Sequence, residues 1–262
     1  MKNKKAENEN LINEMSLEKA TTAYKDKKTA EIAQSIGMKE NPLTPKQLYT
    51  ELTKHLCSDL QPSEYLNRLL SEGSFDEHPF SMLKILDTIP QSPIYHPEGC
   101  VWNHVCLVVD QAAQLRRQSC TPVHFMWAAL LHDIGKSKTT RKRKGRITAY
   151  DHDTVGMQMA VEFLSPLTED EEQIRQVSKL VKYHMHPLYV LKGLPFADIS
   201  GMKSETDVRE IALLGFCDRM GRIGSQAEDE KMNIEEFMLK CGIEDGSLHL
   251  SSTAPPLLSS LL

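Results

Sequence analysis

The feature that most constrains this chain is the presence of ionisable side chains on the apolar faces of four predicted helices. The apolar residues of each face recur every three or four positions, as in a helix that packs against a core. The ionisable residues on these faces are His104, His132 with its neighbour Asp133, His184 and Asp218. A buried charge is costly unless it is paired or bound to a metal. We therefore expect these side chains to meet partners inside the protein.

Apolar periodicity predicts an almost wholly helical chain between its two ends. Leucines that recur every four residues indicate one helix face, at Leu48, Leu52, Leu56 and Leu60. Start signals predict further helices over about residues 122–134, 168–184 and 204–222.

One segment departs from the helical pattern. Residues 141–150, with Lys144-Gly145 at their middle, have the alternation and the turn residues of a short β-hairpin. The predicted fold class is therefore all-α, with one hairpin that follows the His132-Asp133 pair.

Composition divides the chain into four segments. Residues 1–40 are polar and dense in charge, and we expect them to form an N-terminal extension. Residues 41–95 are expected to form a helical lead-in, and residues 96–245 the main domain. Residues 246–262 are rich in Ser, Pro and Leu and are expected to form a flexible tail.

Composition also argues against several classes of protein. The longest uninterrupted apolar run is residues 125–131, far short of the roughly 18 residues of a membrane helix. Residues 1–10 lack the apolar stretch of a secretory signal peptide. The six cysteines contain no C-x-x-C pair, which favours reduced thiols over disulfides or a zinc knuckle. We therefore expect a cytoplasmic protein that does not enter a membrane.

One short segment is strongly basic in a chain whose net charge is −5. Seven of the eleven residues from Lys136 to Arg146 are Lys or Arg. A basic spot on an acidic chain indicates an anionic ligand at that spot. The alternative, a solvated loop without a ligand, stays open.

The buried histidines and aspartates together favour a divalent cation. A lone His on an apolar face is more often a hydrogen-bonded core residue. Several imidazoles, however, cannot share a core without compensation, because protonation of one would repel the rest. A cation that binds neutral imidazoles and carboxylates removes this conflict. His with Asp and without Cys favours Zn, Mn, Fe, Ni or Co over a structural thiolate site.

The spacing of these residues resembles a known family. His104, the string His132-Asp133-Ile134-Gly135-Lys136 and the distant Asp218 resemble, in order and spacing, the HD-domain superfamily of metal-dependent phosphohydrolases. The strings Tyr95-His96-Pro97-Glu98-Gly99 and Trp102-Asn103-His104 resemble the start of the HD portion of bacterial CCA-adding tRNA nucleotidyltransferases. The resemblance covers about residues 78–225 and implies an HD-domain helical bundle.

The nucleotidyltransferase head of those enzymes has no counterpart in the sequence. No segment upstream offers its glycine-rich strand with paired carboxylates. We therefore expect a stand-alone HD domain that does not add nucleotides.

The resemblance also implies a set of metal ligands. It assigns one metal to His104, His132, Asp133 and Asp218. His152 and His184 match histidines that complete a second metal site in two-metal members, where Asp133 would bridge. The expected cofactor is one or two divalent ions per chain, from among Mn, Ni, Co, Fe, Zn and Mg. The roles of His96, Glu98 and His186 stay open.

The leading functional hypothesis is hydrolysis of phosphate esters of nucleotides or RNA ends. The resemblance implies 2′,3′-cyclic phosphodiesterase, 2′-nucleotidase or phosphatase activity, on a phosphorylated small molecule or an RNA end, with tRNA as a candidate partner. The catalytic residues are expected to be Asp133, Lys136 and Arg219. The residues expected to bind the substrate are Lys136, Lys138, Arg141, Arg143 and Arg146.

Two alternatives accompany this hypothesis. The domain could be a non-catalytic module that binds RNA or tRNA through the basic hairpin of residues 136–146. Within the enzymes, hydrolysis of cyclic dinucleotides or alarmones is the weaker alternative, because the Gly-Tyr-Pro signature of cyclic-di-GMP hydrolases is absent after His184.

Overall fold

The computed structural model describes residues 43–244. The predicted N-terminal extension (1–40) and tail (246–262) lie outside the described residues. Within residues 43–244, the regular elements are helices and a single two-stranded antiparallel sheet. The all-α prediction with one short hairpin is therefore confirmed.

The helices and strands follow one another in this order. The first four helices are α1 (Pro45–Ser58), α2 (Pro62–Ser71), α3 (Ser81–Lys84) and α4 (Val101–Leu115). The next elements are α5 (Pro122–Leu131), α6 (Lys136–Thr139), β1 (Arg141–Arg143) and β2 (Arg146–Thr148). The remaining helices are α7 (His152–Leu164), α8 (Glu171–Tyr183), α9 (His186–Leu191), α10 (Ile199–Glu205), α11 (Val208–Met220) and α12 (Ala227–Lys240). Short 3-10 helices cover Ile85–Thr88 and Arg116–Gln118.

Helix α5 lies at the centre of the bundle. Its residues from Phe125 to Leu131 have no exposed surface, so the helix is buried on all sides. It packs against α1, α4, α8 and α11. Because α5 ends at Leu131, it delivers the following His132-Asp133 pair directly into the interior.

The leucine face of α1 is shorter than predicted. Leu48, Leu52 and Leu56 are buried in the core that α1 shares with the rest of the bundle. The backbone becomes extended at Asp59, which ends the helix. Leu60 therefore lies beyond the helix and is 69% exposed, so its predicted place on this face is wrong.

Two predicted helix starts were also wrong, because aspartates cap these helices. The segment 204–222 is two helices: Ser204 belongs to α10, and α11 starts after Asp207, whose carboxylate accepts the N–H of Arg209. Helix α8 is capped by Asp170, which accepts the N–H of Gln173, and not by Thr168.

The hairpin turns where its sequence predicts. Lys144 and Gly145 both have positive φ angles, 49° and 78°, as a two-residue type I′ turn requires. The strand register pairs Arg141 with Thr148 and Arg143 with Arg146. Strand β1 is fully exposed.

Among residues 43–244, we find no helix that combines the length and the apolar character needed to cross a membrane.

Candidate metal centre

Five separate parts of the fold bring the six predicted ligands together. His104 lies in the first turn of α4, and His132 and Asp133 follow α5. His152 opens α7, His184 follows α8, and Asp218 lies near the end of α11. All six side chains are buried. The structure thus gathers into one interior cluster the residues that the sequence placed on separate helices.

The cluster contains two groups of three residues, each with ligand atoms within 4.8 Å of one another. The first group is His104, His132 and Asp218, in which Nε2 of His104 lies 2.9 Å from Oδ1 of Asp218. The second group is Asp133, His152 and His184, in which the two Nε2 atoms lie 3.2 Å apart.

Asp133 lies between the two groups. Its Oδ1 is 3.4 Å from Nε2 of His152 and 3.8 Å from Nε2 of His184. Its Oδ2 is 3.3 Å from Nε2 of His132 and 3.8 Å from Nε2 of His104. Asp133 is therefore the one ligand candidate whose two oxygens face different groups.

Main-chain carbonyls fix the tautomer of three of the histidines. Nδ1 of His132, His152 and His184 lies 2.7–2.8 Å from a carbonyl oxygen three residues earlier, of Ala129, Ala149 and Val181 respectively. Since a carbonyl only accepts hydrogen bonds, Nδ1 must carry the proton in each ring. In the neutral rings, Nε2 therefore presents a lone pair to the cluster.

The donor set fits a divalent cation. Lone pairs of His152 and His184 face each other beside a carboxylate oxygen, and Nε2 of His132 has no hydrogen-bond partner among residues 43–244. Such a concentration of acceptors is unfavourable unless a cation occupies it. Neutral imidazoles and carboxylates without thiolates are ligands of Mn, Fe, Co, Ni and Zn ions.

Burial and neighbouring charges act differently on the two groups. Burial lowers the pKa of His184 and of His152, and the proximity of these two rings lowers the pKa of His184 further. For His104, burial also favours the neutral ring, but contacts with Asp218 and Glu98 raise its pKa above the ordinary value. The two histidines of the second group are thus held neutral, whereas His104 lies between carboxylates.

Glu98 is the second carboxylate beside His104. Its Oε1 lies 2.9 Å from Nδ1 of His104 and 2.8 Å from Nδ1 of His96. The contact with His104 is close, although its angle is not that of a hydrogen bond. Burial would raise the pKa of Glu98, but the two histidines hold it well below the usual range. Glu98 therefore lies next to Nδ1 of His104, as main-chain carbonyls do at the other three rings, but it also brings a negative charge.

Two cations balance the acidic ligands. Nζ of Lys136 lies 2.6 Å from Oδ2 of Asp133 and donates to Oε1 of Gln91 at 2.7 Å. Arg222 donates to both oxygens of Asp218, at 2.9 and 3.1 Å. Burial would raise the pKa of each aspartate, but these cations and the adjacent histidines lower it well below its usual value. Both carboxylates are therefore ionised.

Glycine is required where the His-Asp segment meets α7. A Cβ atom at Gly135 would collide with the carbonyl oxygen of His152 and lie 2.6 Å from the nitrogen of Gly156. The absence of a side chain lets the turn after Asp133 pack directly on the start of α7. This contact brings Asp133 next to His152.

The cluster forms part of the lining of a cavity of about 750 Å³. Asp133, Lys136, His152, His184 and Asp218 line it, together with Arg222. The hairpin region also contributes to the wall, through Thr140 and residues 147–149. The buried cluster is therefore open to a ligand that enters beside the hairpin.

Of the other predicted site residues, Arg219 lines this cavity, whereas Lys138, Arg141, Arg143 and Arg146 are not among its lining residues. Arg219 lines the wall, but its guanidinium donates two hydrogen bonds to Glu230, at 2.8 and 3.0 Å. Lys138 forms an ion pair with Glu162 at 3.5 Å. The remaining predicted substrate-binding residues, Arg141, Arg143 and Arg146, are exposed on the hairpin.

Sequence reasoning assigned no role to three residues that contact the ligand cluster or its lysine, Arg222, Glu98 and Gln91. Arg222 lies four residues after Asp218, and this helical spacing could have indicated the ion pair. Glu98 belongs to the family-like string, but its contact with His104 could not be inferred from spacing. No feature of the sequence indicates that Gln91 would accept a hydrogen bond from Lys136. His186, two residues after His184, is buried and belongs to neither group.

The geometry defines a helical protein with a buried centre of metal-ligand type. The comparison with known families agrees, because residues 101–217 match the family described as "HD domain". Residues 101–217 of the chain are therefore similar to the HD-domain family. This family implies the metal-dependent phosphohydrolase superfamily, whose members are generally metal-dependent hydrolases.

Curated relatives are similar to part of this chain. The Multifunctional CCA protein of Alkalilimnicola ehrlichii is 33% identical over 144 residues, which are 55% of this chain and 33% of the relative. That of Actinobacillus pleuropneumoniae is 30% identical over 145 residues, 55% of this chain and 34% of the relative. That of Pseudomonas aeruginosa is 26% identical over 194 residues, 71% and 45% respectively. The chain thus spans less than half the length of these relatives.

Proposed function

We propose that this chain hydrolyses phosphate mono- or diesters of nucleotides or RNA ends, as a 2′,3′-cyclic phosphodiesterase, 2′-nucleotidase or phosphatase. The observation that carries the proposal is the convergence of four imidazoles and two carboxylates in one buried cluster. Two of these imidazoles and both carboxylates line a cavity that also presents Lys136 and Arg222. The similarity to Multifunctional CCA proteins supports nucleotides or RNA ends as the substrate class.

The metal would be held by the two groups of ligands, with Asp133 between them. A divalent cation there supplies a water of lowered pKa and neutralises charge on phosphoryl oxygens. One or two ions per chain are compatible with the two groups.

The residues of the chain would position the phosphate and stabilise its developing charge. Lys136 lies next to Asp133 and lines the cavity, so its ammonium can donate to a phosphoryl oxygen. Arg222 likewise lies next to Asp218 and lines the cavity, so its guanidinium can also donate to a phosphoryl oxygen. We assign the second cationic contact to Arg222 instead of Arg219, because Arg219 uses both Nε and Nη2 on Glu230, whereas Arg222 uses only Nη2 on Asp218.

The hairpin would hold further phosphates of a longer substrate. Its register places Arg143 directly opposite Arg146. Like charges in this position are destabilising, and a bound anion would relieve the repulsion. Arg141 and Arg143 lie on the same face of β1 because alternate residues of a strand do so.

A first experiment tests metal-dependent hydrolysis. The purified protein is analysed for bound metal, and hydrolysis of 2′,3′-cyclic AMP and p-nitrophenyl phosphate is measured with Mn, Ni, Co and Mg. We expect bound transition metal and turnover that the double variant His132→Gln/Asp133→Asn loses. Asp151→Asn, a change at an exposed aspartate with a left-handed backbone that Asn adopts readily, is the control. Full activity of the folded double variant would exclude the proposed site.

A second candidate function, a non-catalytic RNA-binding module, is favoured by the exposed basic hairpin alone. Gel-shift assays in EDTA would test it, with Arg141, Arg143 and Arg146 changed to Gln. The control changes three exposed lysines elsewhere, Lys46, Lys54 and Lys240, to Gln. The binding module would be favoured over the enzyme by three results together. RNA binding is unaffected by EDTA, it is weakened only in the hairpin variant, and the protein shows no turnover.

A further inference from the structure

The lining of the cavity has two chemically different parts. One part comprises the ligand residues Asp133, His152, His184 and Asp218 with the cations Lys136 and Arg222. The other part contains apolar side chains that keep some contact with solvent. These are Tyr95, Ile147, Leu188 and Leu191. A ligand that fills both parts must have an anionic end and an apolar end.

From this division we infer that the apolar part is a nucleobase subsite, in which Tyr95 provides the stacking surface. The inference rests on the proposed phosphohydrolase function, and it names the part of the substrate that determines selectivity. The subsite would separate nucleotides from sugar phosphates that lack a base.

Tyr95 is suited to stacking because its ring is presented at the cavity and not packed into the core. The residue is 67% exposed although it is aromatic, and it lines the cavity. Its backbone N–H donates to the carbonyl of Ser92 at 3.0 Å, which fixes the residue in a turn. The next residue, His96, packs against His104 with ring centroids 4.7 Å apart. The turn therefore carries Tyr95 next to the ligand cluster.

Helix α9 supplies the rest of the apolar part. Leu188 and Leu191 are three residues apart and so lie on one face of the helix, and both line the cavity. Leu188 is 38% exposed, which leaves apolar surface available for a ligand. Ser92 and Asn233 are uncharged polar residues of the same lining, of the kind that fix the orientation of a bound ring.

The size of the cavity agrees with such a ligand. A volume of about 750 Å³ lies within the range of pockets that bind whole organic ligands, roughly 300–1,000 Å³. The cations alone would be satisfied by a phosphate group. The apolar part of the lining would instead contact a flat group, such as a nucleobase, that is attached to the phosphate through its sugar.

The test compares a nucleotide with its base-free counterpart. In the metal-loaded protein, kcat/KM is measured for 2′,3′-cyclic AMP and for methyl riboside 2′,3′-cyclic phosphate, and their ratio is the readout. Stacking of a base on an aromatic side chain is worth on the order of tenfold or more. We expect Tyr95→Ala to lower the ratio by on the order of tenfold and Tyr95→Phe to preserve it. Phe196→Ala, at an exposed aromatic residue outside the cavity lining, is the matched control and should keep the ratio.

An unchanged ratio in Tyr95→Ala, or an equal loss in Phe196→Ala, would overturn the subsite. A second measurement separates this inference from the proposed function. Binding of adenosine 2′-monophosphate and of methyl riboside 2-phosphate is measured by calorimetry, which needs no turnover. If the wild-type protein hydrolyses neither ester, the phosphohydrolase proposal fails. The subsite then stands if Tyr95→Ala selectively weakens the adenosine ligand, and falls if it does not.

Discussion

The two ligand groups use nearly the same side chains but balance their charges in opposite ways. In the first group, His104 lies between Asp218 and Glu98, and its pKa is raised. In the second group, burial and mutual proximity lower the pKa values of His152 and His184. The surroundings of His104 in the first group thus favour a positive charge on its ring, whereas His152 and His184 in the second group present lone pairs to each other.

This difference shows that a shared ligand motif does not determine the pKa of each histidine in it. The surroundings of each ring decide whether its metal-binding nitrogen is available. A carbonyl fixes the tautomer of His152 or His184 without adding charge, whereas Glu98 adds a full negative charge next to His104. We therefore expect the two groups to respond differently to substitution and to pH.

The largest effect is expected for Asp133→Asn, because Asp133 faces both groups. The substitution should lower bound metal in both groups and reduce kcat/KM by at least about 100-fold, as for loss of a primary electrostatic contact. Elemental analysis and kinetics with 2′,3′-cyclic AMP would measure this. His184→Gln should lower metal content in the second group only. Equal metal loss in the two variants would contradict the central position of Asp133.

A smaller effect is expected for Glu98→Gln, which acts on the first group alone. Loss of a partner that orients a ligand histidine weakens metal binding by about 10- to 100-fold. Chelator competition would measure the affinity in a His184→Gln background, where the first group remains, and in a His104→Gln background, where it is impaired.

The two backgrounds form a double-variant cycle. The expected loss appears in the first background and is absent in the second. Glu162→Gln, at an exposed carboxylate, is the control. The same loss in both backgrounds would show that Glu98 acts on the whole fold and not through His104.

The smallest effect is expected in the pH dependence of the metal-free protein. A buried His with a lowered pKa stabilises the fold fully above its unfolded value of about 6.5, and this contribution is lost as pH falls below that value. His184→Gln removes the contribution, so the variant should lose stability less steeply than the wild type. The difference in slope is at most about 1.4 kcal/mol per pH unit for one proton.

Urea unfolding in EDTA between about pH 9 and pH 4 would measure these slopes. His104→Gln is expected to change the slope above pH 6.5 and in the opposite direction, because the contribution of a raised pKa is full below that value and is lost as pH rises. Parallel curves for the wild type and His184→Gln would contradict the neutral state of the second group.

The spacing of apolar residues alone was sufficient to predict the helical fold and the burial of most ligand candidates. His104 and Asp218 share faces with buried apolar residues, which is visible in the sequence and confirmed by their burial. The hairpin was equally visible, because Lys144-Gly145 is a turn pair with few alternatives.

The partners of the ligands could not be predicted in the same way. Glu98 contacts His104 through tertiary packing, for which the linear sequence carries no period, whereas the contact of Lys136 with Asp133 is local and spans three residues. Helix ends were also uncertain. The apolar run of α5 suggests a helix to Ile134, but α5 ends at Leu131, and the His132-Asp133 pair lies in the following turns. The ion pair of Arg219 with Glu230 joins α11 to α12 and has no local signal.

The contact between His104 and Asp218 joins positions 114 residues apart. Closing so long a loop costs conformational entropy, so such contacts tend to form late in folding. A partly folded chain could offer only local ligands, such as the adjacent His132 and Asp133. The full set exists once α4 and α11 have docked on α5. Any metal affinity that depends on the full ligand set is consequently a property of the completed fold, and unfinished chains would compete poorly for scarce ions.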